Sequence, residues 1–418
     1  MSAITRPAPG KVGASWFTLF TLAWLVIWTV QLTPLQLLLP LQLDTQDSPE
    51  GWVTGVVSSG LVLGVGGLAG VVAGPVAGTL SDRRSGRVRR RPWALAGVWL
   101  ASACLILTGL SSGPWFVGAA WVGVSVGVAV AASAFTALIA DQLPVAQRGA
   151  ASSAVGSAQA LGIVLGVGAV VLLGLGIFDG YAVLAAALAV VGTATALLLP
   201  DPPSEPQADR GLRSPRFVFL ADPNFRWVLI GRLVVNIGNA LGTALFLFFL
   251  MYGIGQPSRE AQDNLLLIIL VYTVFVVAAS IITGLASDRI GRRRRLTISA
   301  ALVQALSALV IVISPTFEMT LVAAAIMGIG YGAFSTVGLA FATDLLPSEA
   351  DHARDLSVVN TTAALGQLLG PVIGAGLVAL VGGFWLLFAA AGVLSLLGAV
   401  LTGLATEPGN NSRTQPLE

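Results

Sequence analysis

Cysteine and histidine are nearly absent, with Cys104 and His352 the only examples in 418 residues. A single thiol excludes an intrachain disulfide, and one thiol with one imidazole cannot build a Cys/His metal centre. Cys104 lies in an apolar run and reads as a small packing residue; neither a metal nor a cofactor is expected. Charge is scarce as well, at 10% of the chain against 56% hydrophobic residues. The mean hydropathy of +0.87 exceeds what a soluble core can hide, so the chain belongs in lipid. Acidic residues are missing from the middle of every apolar run and stand only in loops or near run ends. A carboxylate at the bilayer midplane costs about 2.5 to 3.5 kcal/mol on insertion scales, and is kept where it carries a proton or sodium ion. No H-E-x-x-H and no nucleophile–base pair is present, so an enzyme would lack its tools.

What is present is a series of long apolar runs. A span needs about 20 mostly apolar residues at ~1.5 Å rise each, and twelve candidates qualify. Their limits are 16–43, 52–80, 93–111, 115–140, 149–177, 181–200, 225–254, 262–286, 296–313, 317–345, 356–381 and 384–405. The first run follows Arg6 and Lys11 and is too long for a signal-peptide core, so it is expected to be retained. With twelve spans both termini share a side. Almost every Lys and Arg outside the spans falls there, including the blocks Arg83–Arg91 and Arg289–Arg295, with only Arg259 opposite. The positive-inside rule makes that side cytoplasmic, in a multi-pass protein of the cell membrane. The polar stretch 201–223 reads as a cytoplasmic linker between residues 1–200 and 224–418.

The two halves repeat. Gly78-Thr79-Leu80-Ser81-Asp82-Arg83 returns as Gly284-Leu285-Ala286-Ser287-Asp288-Arg289, which places Asp82 and Asp288 206 positions apart. Asp141-Gln142-Leu143-Pro144 returns as Asp344-Leu345-Leu346-Pro347 at an offset of 203. The expected fold is therefore all-α, with twelve transmembrane helices in two pseudo-symmetric six-helix bundles. Anchoring in the membrane needs cations and does not explain an acid repeated at one position. Asp82, Asp141, Asp288 and Asp344, with Arg83, Arg87, Arg148, Arg289 and Arg292 nearby, are expected to form ion networks that gate the cytoplasmic mouth.

Glycines recur every fourth residue at Gly66, Gly70, Gly74 and Gly78, at Gly162 and Gly166, and at Gly366, Gly370 and Gly374. Small residues at that spacing let helix backbones approach closely. Polar residues within spans mark a cavity: Gln31 and Gln36 in span one, Gln159 in span five, Tyr331 in span ten, Asn360 and Gln367 in span eleven. Span seven puts Arg232, Asn236, Asn239 and Thr243 on one helical face. Each amide either binds solute or joins helices. Arg232 lies roughly 12 Å into its span. It is expected to pair with an end acid such as Asp344 or to face a solute oxygen. Trp24 and Trp28, one turn apart beside Gln31, form either a sugar-stacking surface or an ordinary lipid-facing pair.

Over nearly its whole length the chain resembles the major facilitator superfamily. The resemblance rests on the twelve spans, the G-x-x-x-D-R signature with its basic cluster in each half, and the acid after span four. It implies that spans 1, 2, 4, 5, 7, 8, 10 and 11 line a central cavity, and that Asp82 and Asp288, with Asp141 and Asp344, stabilise the outward-open state. The stretch Gly74 to Arg83, continued to Arg90-Arg91-Pro92-Trp93, is similar to the sugar:cation symporter branch of glycoside, pentoside, hexuronide and sucrose carriers. Span two here lacks the intramembrane acid often found in that branch. The expected function is alternating-access transport, secondary or facilitative, of a small polar solute, a sugar or glycoside ahead of other classes. Alternatives are an exporter of amphipathic compounds or drugs and, more remotely, a solute sensor without flux. A coupling proton or sodium ion is left open as a partner, a monomer is expected, and no nucleic acid is.

Overall fold

The computed structural model describes residues 11–45, 51–83, 90–201, 222–345 and 352–406. These form twelve helices long and apolar enough to cross a membrane. They are α1 (Ala14–Gln42), α2 (Trp52–Arg83), α3 (Arg91–Leu110), α4 (Pro114–Gln142), α5 (Val145–Leu172) and α6 (Ile177–Leu198). The second set is α7 (Pro223–Ala244), α8 (Ser258–Ile290), α9 (Arg293–Ile313), α10 (Phe317–Asp344), α11 (His352–Val381) and α12 (Trp385–Leu404). A helix satisfies its own backbone without water, which is why each apolar run adopts one.

Local chemistry sets the ends. Proline begins α4 and α7, where its missing N–H costs nothing, and Asp222 caps α7 by accepting from the Asn224 and Phe225 amides at 2.7 and 3.2 Å. Gly291, at φ 67°, closes α8 in the left-handed region, so that only Gly291 and Arg292 separate α8 from α9. This short turn keeps Arg293 beside the end of α8. Three runs are less regular than expected, α6 among them with a π-helical turn at Leu188–Gly192. α1 opens into a π-helical turn at Pro34–Leu38, where Pro34 has no N–H to offer the ladder. The run of span seven breaks at Leu245 (φ −113°, ψ 22°) and resumes through Phe246–Ile254, whose Phe246 and Phe249 rings meet Phe388 at 6.0 and 4.7 Å.

The chain divides into two compact units, residues 1–44 with 62–210 and residues 45–61 with 211–418. The short segment 45–61 carries the first turns of α2 into the second unit, where Trp52 stacks on Tyr252 and Phe384 at 4.9 and 5.5 Å. In the first unit α1 packs on α5, and α3 packs on α4 and α6. In the second, α7 packs on α11 and α12, α9 on α10 and α12, and α8 on α10. The glycine rows mark the seams. A Cβ on Gly366 would stand 2.7 Å from that of Asn236, and one on Gly162 would stand 3.0 Å from the Thr29 nitrogen. Large apolar side chains remain exposed in rows, such as Leu61, Val65, Leu68, Val72 and Val76 of α2. In water such a row would be a liability; in lipid it is the solvated surface.

Candidate functional site

Two arginine–aspartate clamps hold equivalent helix ends, one in each unit. In the first, Arg90 at the start of α3 donates from Nε to Asp141 Oδ2 at the end of α4, 2.9 Å away, and from Nη1 to the Ser81 hydroxyl of α2. In the second, Arg293 at the start of α9 donates to Asp344 at the end of α10 at 2.7 Å and to Asp288 at the end of α8 at 3.3 Å. Arg90 precedes Arg293 by 203 positions, as Asp141 precedes Asp344. The next residue matches too. Arg91 donates to the Ala196 and Leu199 carbonyls at the end of α6, and Arg294 donates to the Gly403 carbonyl at the end of α12. Asp201 adds a cap in the first unit, accepting from the Arg90 and Arg91 amides at 2.9 and 2.8 Å.

The clamps differ in strength. The Arg90 side chain is 7% exposed and that of Asp141 29%, whereas Asp288 is 74% exposed. A well-exposed pair contributes about 0.2–1 kcal/mol, while removing one partner of a buried pair costs about 3–5 kcal/mol. Several of the expected gating residues take other places. Arg148 donates to the Leu143 carbonyl at 3.3 Å. Arg289 and Arg292 are exposed, with no ion pair among the described residues. Arg87 lies outside the described residues, as do the side chains of Asp82 and Arg83. The clamp arginines themselves, Arg90 and Arg293, were not singled out from the sequence, because each is one of several arginines in a block.

The intramembrane polar residues fall into one set per unit. In the first unit Gln31, Gln36 and Gln159 are half-buried, with no hydrogen bond among the described residues. α1 carries an aromatic ladder of Trp16, Phe20, Trp24 and Trp28 with successive ring centroids 4.8, 6.4 and 6.0 Å apart. Trp16 donates to Gln142 at 2.7 Å, whereas the indole N–H groups of Trp24 and Trp28 are enclosed without an acceptor among the described residues.

In the second unit the α7 face separates into roles. Asn236 is buried under Gly366, and its amide reaches the Thr362 hydroxyl of α11 at 3.4 Å. Asn239, half-buried, accepts from the Tyr272 hydroxyl of α8 at 3.4 Å, and the Tyr272 ring lies 6.5 Å from that of Tyr331. Thr243 donates back to the Asn239 carbonyl at 3.0 Å. Gln367 is half-buried without a described hydrogen bond, and the Asn360 side chain lies outside the described residues. Tyr272 was not anticipated: a lone tyrosine in an apolar run gives no sign of which helix its hydroxyl will meet.

Arg232 does not pair with Asp344, which Arg293 holds. The Arg232 side chain is instead buried, its guanidinium carbon 5.6 Å from the centre of the Phe334 ring. Nε and Nη1 are enclosed and have no acceptor among the described residues. A cation–π contact is worth about 0.5–2 kcal/mol, which leaves much of the ~2.5–3.5 kcal/mol insertion cost of a central arginine unmet.

Twelve membrane-crossing helices with the same acid–arginine clamp in each unit define a multi-pass membrane protein of the solute-carrier type. The sequence profile of the Major Facilitator Superfamily matches residues 3–167, 85–261 and 260–418, and the chain belongs to that family, a transporter and not an enzyme. Among solved structures it is similar to a bacterial homologue of the human lysosomal transporter Spinster in an inward-facing, occupied conformation, at 18% identity and TM-score 0.71 over 96% of this chain and 98% of that one. It is similar also to the nucleoside transporter NupG, at 13% identity and TM-score 0.72 over 93% and 98% of the two chains. A D-xylose–proton symporter gives 15% identity and TM-score 0.70 over 94% and 98%. At these identities the likeness is one of fold. No curated protein sequence matches the chain.

Proposed function

We propose that the protein is an alternating-access carrier of a small polar organic solute of the sugar or glycoside class, seated in the cell membrane with both termini cytoplasmic. The observation that carries this reading is the set of uncharged hydrogen-bonding groups left half-buried at membrane depth, Gln31, Gln36 and Gln159 in one unit and Asn239, Tyr331 and Gln367 in the other. Polyols are recognised by such groups. A D-xylose–proton symporter and a nucleoside transporter among the similar folds add support without fixing the solute. The clamps serve the cycle by holding helix ends that must part when the carrier changes state. Asn236 and Asn360 extend the polar row, with Asn236 serving helix contact first. The resemblance to the sugar:cation symporter branch belongs to this reading, as does a monomeric working unit. The spans hold no midplane carboxylate, so transport proceeds as facilitated diffusion or exchange rather than by acid-based ion coupling.

A second reading, export of amphipathic compounds, is favoured by the aromatic ladder of α1. Counterflow in proteoliposomes separates the two. Exchange of labelled sugars supports the first; dye extrusion with no sugar exchange supports the second. Binding without exchange marks a sensor.

A further inference from the structure

Among the described residues, the Arg232 guanidinium is the intramembrane charge that the clamps and caps do not account for. Every other arginine described as buried or half-buried at a helix end, namely Arg90, Arg91, Arg148, Arg293 and Arg294, donates to a carboxylate, a hydroxyl or a backbone carbonyl. Arg232 is 6% exposed and has no such acceptor among the described residues. Its surroundings are shaped to keep it. Phe334 lies under the guanidinium, and one turn further along α10 a Cβ on Gly338 would stand 2.9 Å from Nη1, so the absence of a side chain there makes the room. Toward the half-buried end of the same row stand Asn239 and the Tyr272 and Tyr331 hydroxyls, all neutral. A positive charge at one end of a neutral, hydroxyl-binding row is complementary to a molecule with an anionic head and a polyol body.

We infer that the solute is an organic acid of the sugar-acid class, whose carboxylate pairs with Arg232 while its hydroxyls meet Asn239, Tyr272 and Tyr331. This rests on the carrier reading above and narrows its substrate. A planar carboxylate matches the two parallel N–H groups of a guanidinium, and its charge supplies what the protein leaves out. The same charge opposes cationic solutes, including the cationic dyes that an exporter of amphipaths would be tested with. On the neighbouring helix α11 stands Asp355, two turns nearer the start of the helix than Thr362, with a side chain outside the described residues.

The test is counterflow by the full chain in proteoliposomes with matched pairs, D-glucuronate against D-glucose and D-galacturonate against D-galactose. For the unmodified protein the acid of at least one pair is expected to half-saturate exchange at a concentration tenfold or more below its neutral partner. Arg232→Gln is expected to shrink that ratio below twofold, and Arg232→Lys to restore part of it. Equal handling of acid and neutral members by the unmodified protein overturns the inference even if Arg232→Gln does not fold, and leaves the carrier reading standing. A ratio that survives in Arg232→Gln also overturns it. Exchange of no member of either pair sinks the sugar reading and this inference together. Asp355→Asn is expected to leave the acid-to-neutral ratio and the melting temperature unchanged. A loss of stability matching that of Arg232→Gln would instead assign the guanidinium an internal partner and overturn the proposal.

Discussion

Arg293 reaches Asp344 at 2.7 Å across the ends of α9 and α10, and 203 positions earlier Arg90 reaches Asp141 at 2.9 Å across α3 and α4. The two pairs are the same joint made twice, yet they are embedded differently. Arg90 is almost enclosed, whereas Arg293 shares its charge with the largely exposed Asp288. Asp141→Ala strands a buried guanidinium and is expected to cost about 3 kcal/mol of stability. Asp288→Ala is expected to cost less than about 1 kcal/mol. Thermal unfolding of the two purified variants checks the order, and equal melting temperatures would contradict it. Because Asp288 stands at a helix end and not in the polar row, Asp288→Asn is expected to slow exchange while leaving the half-saturating solute concentration unchanged.

The neighbouring amides of α7 are expected to part company. Asn236 is buried against Gly366 and Thr362, so Asn236→Ala lowers the melting temperature more than it changes solute affinity. Asn239 is half-buried with Tyr272 as its partner. On the proposed solute-binding role, Asn239→Ala removes hydrogen bonds worth about 0.5–1.5 kcal/mol each and is expected to weaken binding about threefold to tenfold. Direct binding and thermal melts on both variants distinguish them, and the reverse pattern would exchange their roles.

Much of this was legible in the sequence, and the rest failed for a definite reason. Span number and helical class follow from apolar length, since lipid leaves the backbone no other means of pairing. The clamp acids Asp141 and Asp344 were visible through their repeat. Their arginines were not, because composition does not rank Arg90 among Arg83, Arg84, Arg87, Arg89 and Arg91. Part of the signal was nevertheless there: the 203-residue offset of the acids pairs Arg89, Arg90 and Arg91 with Arg292, Arg293 and Arg294, which narrows each block to three without choosing among them. Tyr272 and Phe334 were beyond reach, because whether a ring in an apolar helix meets lipid or a polar neighbour depends on helix rotation, which a pattern of this kind leaves open.

Gly366 offers a direct test of the α7–α11 seam. The Cβ it lacks would lie 2.7 Å from the Asn236 Cβ, within the van der Waals limit. Gly366→Val must therefore push the helices apart, at the 1–3 kcal/mol that overpacking costs (roughly). A lower melting temperature with broadened elution on gel filtration is the expected result. A variant as stable as the parent would show that the seam yields without loss.

Orientation is open to a direct chemical measurement. Ser258, exposed at the start of α8, belongs to the only loop whose arginine, Arg259, falls on the side opposite the termini. With Cys104→Ser as background, Ser258→Cys is expected to react with an impermeant maleimide on intact cells, and Ser412→Cys only after permeabilisation. The opposite pattern would invert the topology.

The lack of midplane acids carries the last prediction. In α8 and α10 the carboxylates Glu260, Asp263 and Glu318 stand in the opening turns, and Asp288 and Asp344 at the other ends. None is placed at mid-span, where a carboxylate could bind a proton or sodium ion from one side of the membrane and release it to the other, which is the step that couples an ion gradient to a solute. Arg232 carries a fixed positive charge and does not substitute, since a guanidinium keeps its proton. Solute exchange at equal concentrations is therefore expected to run at the same rate with proton and sodium gradients imposed or collapsed by ionophores. Net accumulation against a solute gradient is not expected from either ion. Uphill uptake that vanishes on adding a protonophore would show that a proton path exists through groups other than these carboxylates, and would return the carrier to the symporters.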